Sequence, residues 1–167
     1  MMRKIHWFAA GMLVGIVVVG GWMLAQPEAA ATLTAEDRAE ITQLYATMYQ
    51  GSDFRDADLW LSAFAEDAVF VFPTGDRVEG HDALLAWRNQ SFGGETGDAK
   101  RRHHVPNIRI LPGEDGGATA KAYWIELDVN STPSTIKGTG TAEDVFVKTA
   151  DGWKFKYHAV SVDQFGN

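Results

Sequence analysis

The chain has 167 residues, no cysteine, a formal net charge of −7, 46% hydrophobic and 11% aromatic residues. That suffices for one packed domain plus an extension. Without thiols there are no disulfides, no thiolate catalysis and no cysteine-ligated zinc, and an acidic balance lacking a basic stripe argues against nucleic acid as a partner.

Residues 1–31 read as a targeting or anchoring segment with a linker. Arg3 and Lys4 precede nineteen uncharged residues, from Trp7 to Ala25. A run of about 20 apolar residues spans a bilayer, whereas a signal peptide core needs about 7–15. Length favours an uncleaved transmembrane anchor. Ala29-Ala30-Ala31, just after Pro27, instead offers the small residues of a cleavage site. The basic flank keeps the N-terminus cytoplasmic, so either reading places the domain at 32–167 on the periplasmic or extracellular side.

The domain opens with helices. Thr34 is a predicted N-cap, with Asp37 at the third helical position. Ile41, Leu44, Tyr45, Met48 and Tyr49 recur at helical spacing, which predicts one amphipathic helix ending near Gly51. Asp56 caps a second helix that buries Leu59, Trp60, Ala63 and Phe64. A short strand is predicted over 69–72, stopped by Pro73 and the turn Thr74-Gly75-Asp76. A third helix follows Gly80, carries Leu84, Leu85 and Trp87, and dissolves in the glycine-rich stretch 93–97. Strands are then predicted over 103–111, 118–129, 135–149 and 153–162, the last two joined by a hairpin at Asp151-Gly152. Short connections make them an antiparallel meander. Helices first and sheet afterwards give an α+β domain with the helices on one face.

This order resembles the NTF2-like cone fold, and more closely its SnoaL-like branch, which contains scytalone dehydratase and bile acid dehydratase. The residues that carry the likeness are Ile41-Thr42-Gln43-Leu44-Tyr45, Asp56 ahead of Phe64, Glu66-Asp67-Ala68-Val69-Phe70 and Val78-Glu79-Gly80. Further on come Arg102-His103 with Asn107, and Gly152-Trp153-Lys154-Phe155. The resemblance implies three N-terminal helices packed on a curved antiparallel sheet. It also implies a pocket lined by a tyrosine of the first helix, Asp56 and His103. Tyr45 and Tyr49 stand further from Asp56 than the dehydratase pattern has them, because Gly51-Ser52-Asp53-Phe54-Arg55 reads as an insertion.

The chemistry expected of such a pocket is proton transfer without a cofactor. His103 would be the base and Asp56 would fix its tautomer. Tyr45 would polarise the substrate, with Tyr49, Asn107 and His158 as substrate-binding residues. Strict alternation sets His103 beside Val105, Asn107 and Arg109 on the more polar face of its strand. Pro106, which cannot donate to a ladder, implies a bulge or an edge that would turn His103 inward. Alternation also sets His158 on the face opposite Trp153, Phe155 and Tyr157. Asp53 and Asp58 read as solvated. Glu126, Asp128, Glu143 and Asp144 read as solvated strand positions, any one of which would be a candidate acid if it faced inward.

Other signals carry less. His103 and His104 point to opposite faces and cannot chelate one ion together, so no metal site is expected. Ser134-Thr135-Ile136-Lys137 lacks the partner motifs of penicillin-recognising enzymes. Asn130-Ser131-Thr132 is a glycosylation sequon of use only in a eukaryotic secretory pathway. The expectation is therefore an exported domain that binds a small, mostly apolar molecule, as a cofactor-independent lyase (dehydratase) or isomerase. Its alternatives are a non-catalytic binding module and a homodimeric assembly module, the latter through an outer face supplied by Trp124, Phe146 and Phe155. Membrane contact would come only through an uncleaved N-terminal helix.

Overall fold

The computed structural model describes residues 32–163. The anchor or signal expected at 1–31 lies outside them, and among the described residues no helix is long and apolar enough to cross a membrane. The elements are α1 (Ala35–Asp53), α2 (Ala57–Ser62), β1 (Phe64–Val71), β2 (Arg77–Glu79), α3 (His81–Phe92), β3 (Arg101–Pro112), β4 (Ala118–Asp128), β5 (Thr135–Thr149) and β6 (Gly152–Val162).

Helix α1 starts where its capping box does. The Thr34 hydroxyl accepts from the Asp37 amide at 3.0 Å, and Asp37 Oδ2 accepts from the Thr34 amide at 2.9 Å. The other Asp37 oxygen accepts from Lys148 Nζ at 2.7 Å and from Trp153 Nε1 at 2.9 Å. One carboxylate thus caps the helix and bolts it to β5 and β6.

The helix does not stop at Gly51 but runs one half-turn further, to Asp53. Gly51 serves a different need. A Cβ there would sit 2.4 Å from the Trp60 backbone nitrogen, so the glycine is what allows α1 and α2 to cross this closely. Arg55 then turns the chain with a positive φ of 54°, and Asp56 caps α2 by accepting from the Leu59 amide at 2.8 Å.

The sheet has six strands in the order β2-β1-β6-β5-β4-β3. It is mixed rather than wholly antiparallel, because β1 lies parallel to β6 while every other pair is antiparallel. Strand β1 is longer than predicted, and β2 was not anticipated. Three apolar or charged residues between a turn and Gly80 are too few to show alternation, and β2 exists by pairing with β1.

Register shifts interrupt all the pairs but β1–β2. Bulges of this kind bend and twist a sheet, and here they curve it around α1. The concave side is built from small and large residues in turn. Ala118, Ala120 and Ala122 make room for α1, while Phe146 and Phe155 fill the floor. Phe146 and Phe155 are 1% and 0% exposed and Trp124 is 8% exposed, so the three aromatics expected to form an outer dimer face are interior. Burying each is worth about 1.5–3 kcal/mol, which is why alternation carries them inward. The exposed apolar residues of the outer side include Leu111, Tyr123 and Val145.

Candidate functional site

Helices α2 and α3 close one end of the curved sheet over a cavity of about 260 Å³. Its walls are aromatic: Trp60 of α2, Trp87 of α3, Phe70 of β1 and Phe72 just after it, and Trp124 of β4. Trp87 centres this cluster, with ring centroids 5.8 Å from Trp60, 5.6 Å from Phe70 and 4.7 Å from Phe72. A larger depression of about 1030 Å³ lies beside the β3–β4 turn. It is lined by turn backbone and exposed charges such as Glu66 and Lys156 and meets neither imidazole of the cavity.

His103 enters the cavity wall from β3. The register of β3 against β4 shifts between His104 and Asn107, around Pro106. His103 and Val105 therefore face inward before the bulge, and Ile108 and Ile110 face inward after it. The His103 ring is held by Asp53, whose Oδ1 lies 2.6 Å from Nδ1 and whose Oδ2 accepts the His103 amide at 2.9 Å. An ionised carboxylate can only accept, so Nδ1 donates and Nε2 is left on the cavity side. Tyr49 stacks on the imidazole at 4.7 Å. Glu126, directly opposite on β4, brings Oε2 to 3.6 Å from Nε2.

A second histidine–carboxylate pair forms the floor. His158 Nδ1 lies 2.5 Å from Asp144 Oδ1, and the Tyr45 hydroxyl donates to Asp144 Oδ2. His158 and Asp144 are cross-strand partners and are 1% and 3% exposed. A register shift between Val145 and Phe146 makes Lys156 the extra residue of β6. It puts His158 on the same face as Trp153 and Phe155, contrary to plain alternation. Burial, and then the Asp144 charge, push the Tyr45 hydroxyl far above the usual phenol range. Burial likewise pushes Tyr49 up, with the charges of Asp144 and Asp53 adding to it. Both phenols are therefore neutral donors at physiological pH.

The third polar group is Arg88 of α3. Its guanidinium lies 4.1 Å from the Trp60 ring centroid and 4.4 Å from that of Trp87. Burial, and next the neighbouring charge of Arg101, push its pKa down to about 9, which leaves it a cation at neutral pH. Arg101 bonds the carbonyl and hydroxyl of Ser52 at 3.0 and 3.2 Å.

Of the residues expected to act, His103, Tyr49 and His158 line the cavity. Asp56 does not reach it: it is exposed and spends its carboxylate on the α2 cap, and Asp53 occupies the role assigned to it. Tyr45 lies in the core beneath the cavity, with its hydroxyl committed to Asp144. Asn107 is exposed beyond the bulge, away from the cavity. Asp53 and Arg88 were missed, while Glu126 and Asp144, read as solvated unless one faced inward, both line or underlie the cavity. Asp53 had a signal in the sequence, since Tyr45, Tyr49 and Asp53 repeat at four-residue spacing on one helix face. Among the described residues no group of three or more His, Cys, Asp or Glu side chains is arranged to hold a metal ion.

A curved mixed sheet wrapped around one helix and closed by two more, with an aromatic cavity inside, defines the α+β cone class of NTF2-like domains. Within it the chain belongs to the SnoaL-like domain family, whose profile matches residues 33–158. Among curated proteins there is no match. Solved structures similar to it include a protein of unknown function with a cystatin-like fold from Nostoc punctiforme. That one is 24% identical, with a TM-score of 0.68, over 78% of this chain and 94% of that one. ActVI-ORFA from Streptomyces coelicolor is 24% identical, TM-score 0.65, over 75% and 96% of the two chains. A protein from Catenulispora acidiphila in complex with S-DNPA is 25% identical, TM-score 0.66, over 78% and 96%.

Proposed function

We propose that this domain binds a compact, mostly apolar molecule in the aromatic cavity and moves a proton on it through His103. The observation that carries the proposal is the Asp53–His103 pair, which fixes one ring nitrogen at 2.6 Å and leaves the other on the side of the aromatic cavity. Such a base takes a proton from carbon beside a carbonyl. The released electron pair then expels a β-hydroxyl, which takes the proton back from His103 and leaves as water, giving a lyase, or shifts a double bond while His103 returns the proton to the distal carbon, giving an isomerase. Tyr49, kept neutral by burial, is the donor placed to stabilise the developing oxyanion. That the similar Catenulispora acidiphila protein is in complex with S-DNPA supports a binding role here too. Its 260 Å³ sits just below the ~300–1,000 Å³ usual for small-molecule sites, which favours a ligand of one or two rings. The basic flank and apolar run of the N-terminus support the export of this activity from the cytoplasm.

A non-catalytic binding module is the second reading, and Glu126 favours it. Its carboxylate, 3.6 Å from Nε2, stands where a substrate C–H would have to approach that nitrogen. Native mass spectrometry of protein purified from its own host separates ligand binding from an empty shell. A retained small molecule, lost in Val160→Phe, which fills the cavity, supports both readings. A chain free of adducts and indifferent to Val160→Phe in ligand thermal shifts contradicts both.

A further inference from the structure

Arg88 is unusual among the cations of this domain. It is 8% exposed, its Nε is buried without a hydrogen-bond partner, and among the described residues no carboxylate lies within ion-pairing distance of it. Buried polar groups are nearly always bonded, and buried charges are nearly always paired. Trp60 and Trp87 pack against the guanidinium at 4.1 and 4.4 Å, and Arg88 also lines the cavity. Arg101, on β3, lines the same cavity, and its Nε too is buried without a hydrogen-bond partner, 3.8 Å from Asp53 Oδ1. Two guanidiniums brought together repel unless something anionic lies between them.

We infer that the cavity selects an anionic ligand, an aromatic or alicyclic carboxylate whose carboxylate is gripped by Arg88 and Arg101 while its apolar body lies among Trp60, Trp87 and Phe70. A planar carboxylate matches the guanidinium fork bidentately, and a desolvated site makes that charge-assisted pair strong. The inference rests on the cavity being the ligand site, as proposed above. The neighbouring carboxylates do not fill the same need. Asp53 is engaged by His103 and stands 3.8 Å from Arg101 Nε, and Glu126 turns to His103.

The test is calorimetric titration of the full-length protein with cinnamate and with its uncharged isostere cinnamamide. Wild-type protein is expected to bind cinnamate at least tenfold more tightly. Arg88→Leu is expected to abolish that preference while still binding cinnamamide, and Arg88→Lys to keep part of it. Equal binding of the two compounds by wild type, or a preference that survives Arg88→Leu, overturns the anionic assignment and leaves the cavity reading standing. Binding of neither overturns both. Thermal shifts of the wild type with the two compounds give the same comparison without any variant: a larger rise with cinnamate supports the assignment, and equal rises refute it.

Discussion

Asp53 holds His103 with both of its oxygens, one on the ring Nδ1 at 2.6 Å and one on the backbone amide at 2.9 Å. This fixes the last turn of α1 against the bulged strand β3 and sets the ring's rotamer and tautomer in a single contact. In Asp53→Asn the acceptor-only partner becomes an amide that can also donate, and the ring loses its reason to keep the proton on Nδ1. Nitrogen-15 shifts of His103, read where the ring is neutral, are expected to show a protonated Nδ1 in wild type and a mixture in Asp53→Asn.

Asp56→Ala makes the complementary control. It removes a helix cap and nothing in the cavity, so it is expected to cost about 1 kcal/mol of stability. Ligand binding measured on the folded fraction should be unchanged. A binding defect in Asp56→Ala that matched that of Asp53→Asn would contradict the assignment of the pair.

The floor of the cavity depends on Tyr45. Its hydroxyl is one of two partners of the buried Asp144. Tyr45→Phe keeps the aromatic packing on Phe146 and Phe155 but leaves a carboxylate oxygen unpaired. The expected loss is about 1–3 kcal/mol in urea denaturation, with an unchanged m-value.

Gly51 is predicted to be intolerant of any side chain. A Cβ 2.4 Å from the Trp60 nitrogen forces α2 away from α1. Gly51→Ala is expected to cost ~2–3 kcal/mol and to loosen the cavity wall that Trp60 supplies. Near-ultraviolet circular dichroism of the tryptophans reports the second effect.

Stability should also fall in acid through Asp37. The Lys148 ammonium, then the Trp153 indole and the Thr34 groups, hold its carboxyl below the usual carboxylate range. A carboxyl whose folded pKa is depressed stabilises the fold at pH above its unfolded value of about 3.9, and that stability is lost as pH falls below it. Denaturation midpoints at pH 7, 4 and 3 should decline, and the decline should be shallower in Asp37→Asn.

Much of this architecture is legible in the chain because the signals are local. The Thr34–Asp37 box, the Asp56 cap, the hairpin at Gly152 and the extents of β4 and β5 each depend on neighbouring residues, and they are where spacing puts them. So is the bulge at Pro106. What eluded the sequence is tertiary in origin. Gly51 reads as a stop, yet it is a close-packing residue, so the helix turn that delivers Asp53 reads as part of an insertion. The extra residue Lys156 inverts the facing of His158. Asp144 and Glu126 alternate with outward neighbours as any strand carboxylate does, and only the closed cone shows which side is dry. Arg88 sits on the buried stripe of α3 with Leu84 and Phe92, where a lone arginine gives no hint of the indoles that flank it.

The central claim, proton transfer by His103 on a molecule in the cavity, is tested most directly by isotope wash-in. The compound retained by the native protein is incubated with the domain in deuterium oxide and followed by proton NMR. Loss of one carbon-bound proton signal with wild type, and at least a hundredfold slower loss with His103→Gln, is the predicted result. Equal exchange with both proteins, or none with either, would contradict it.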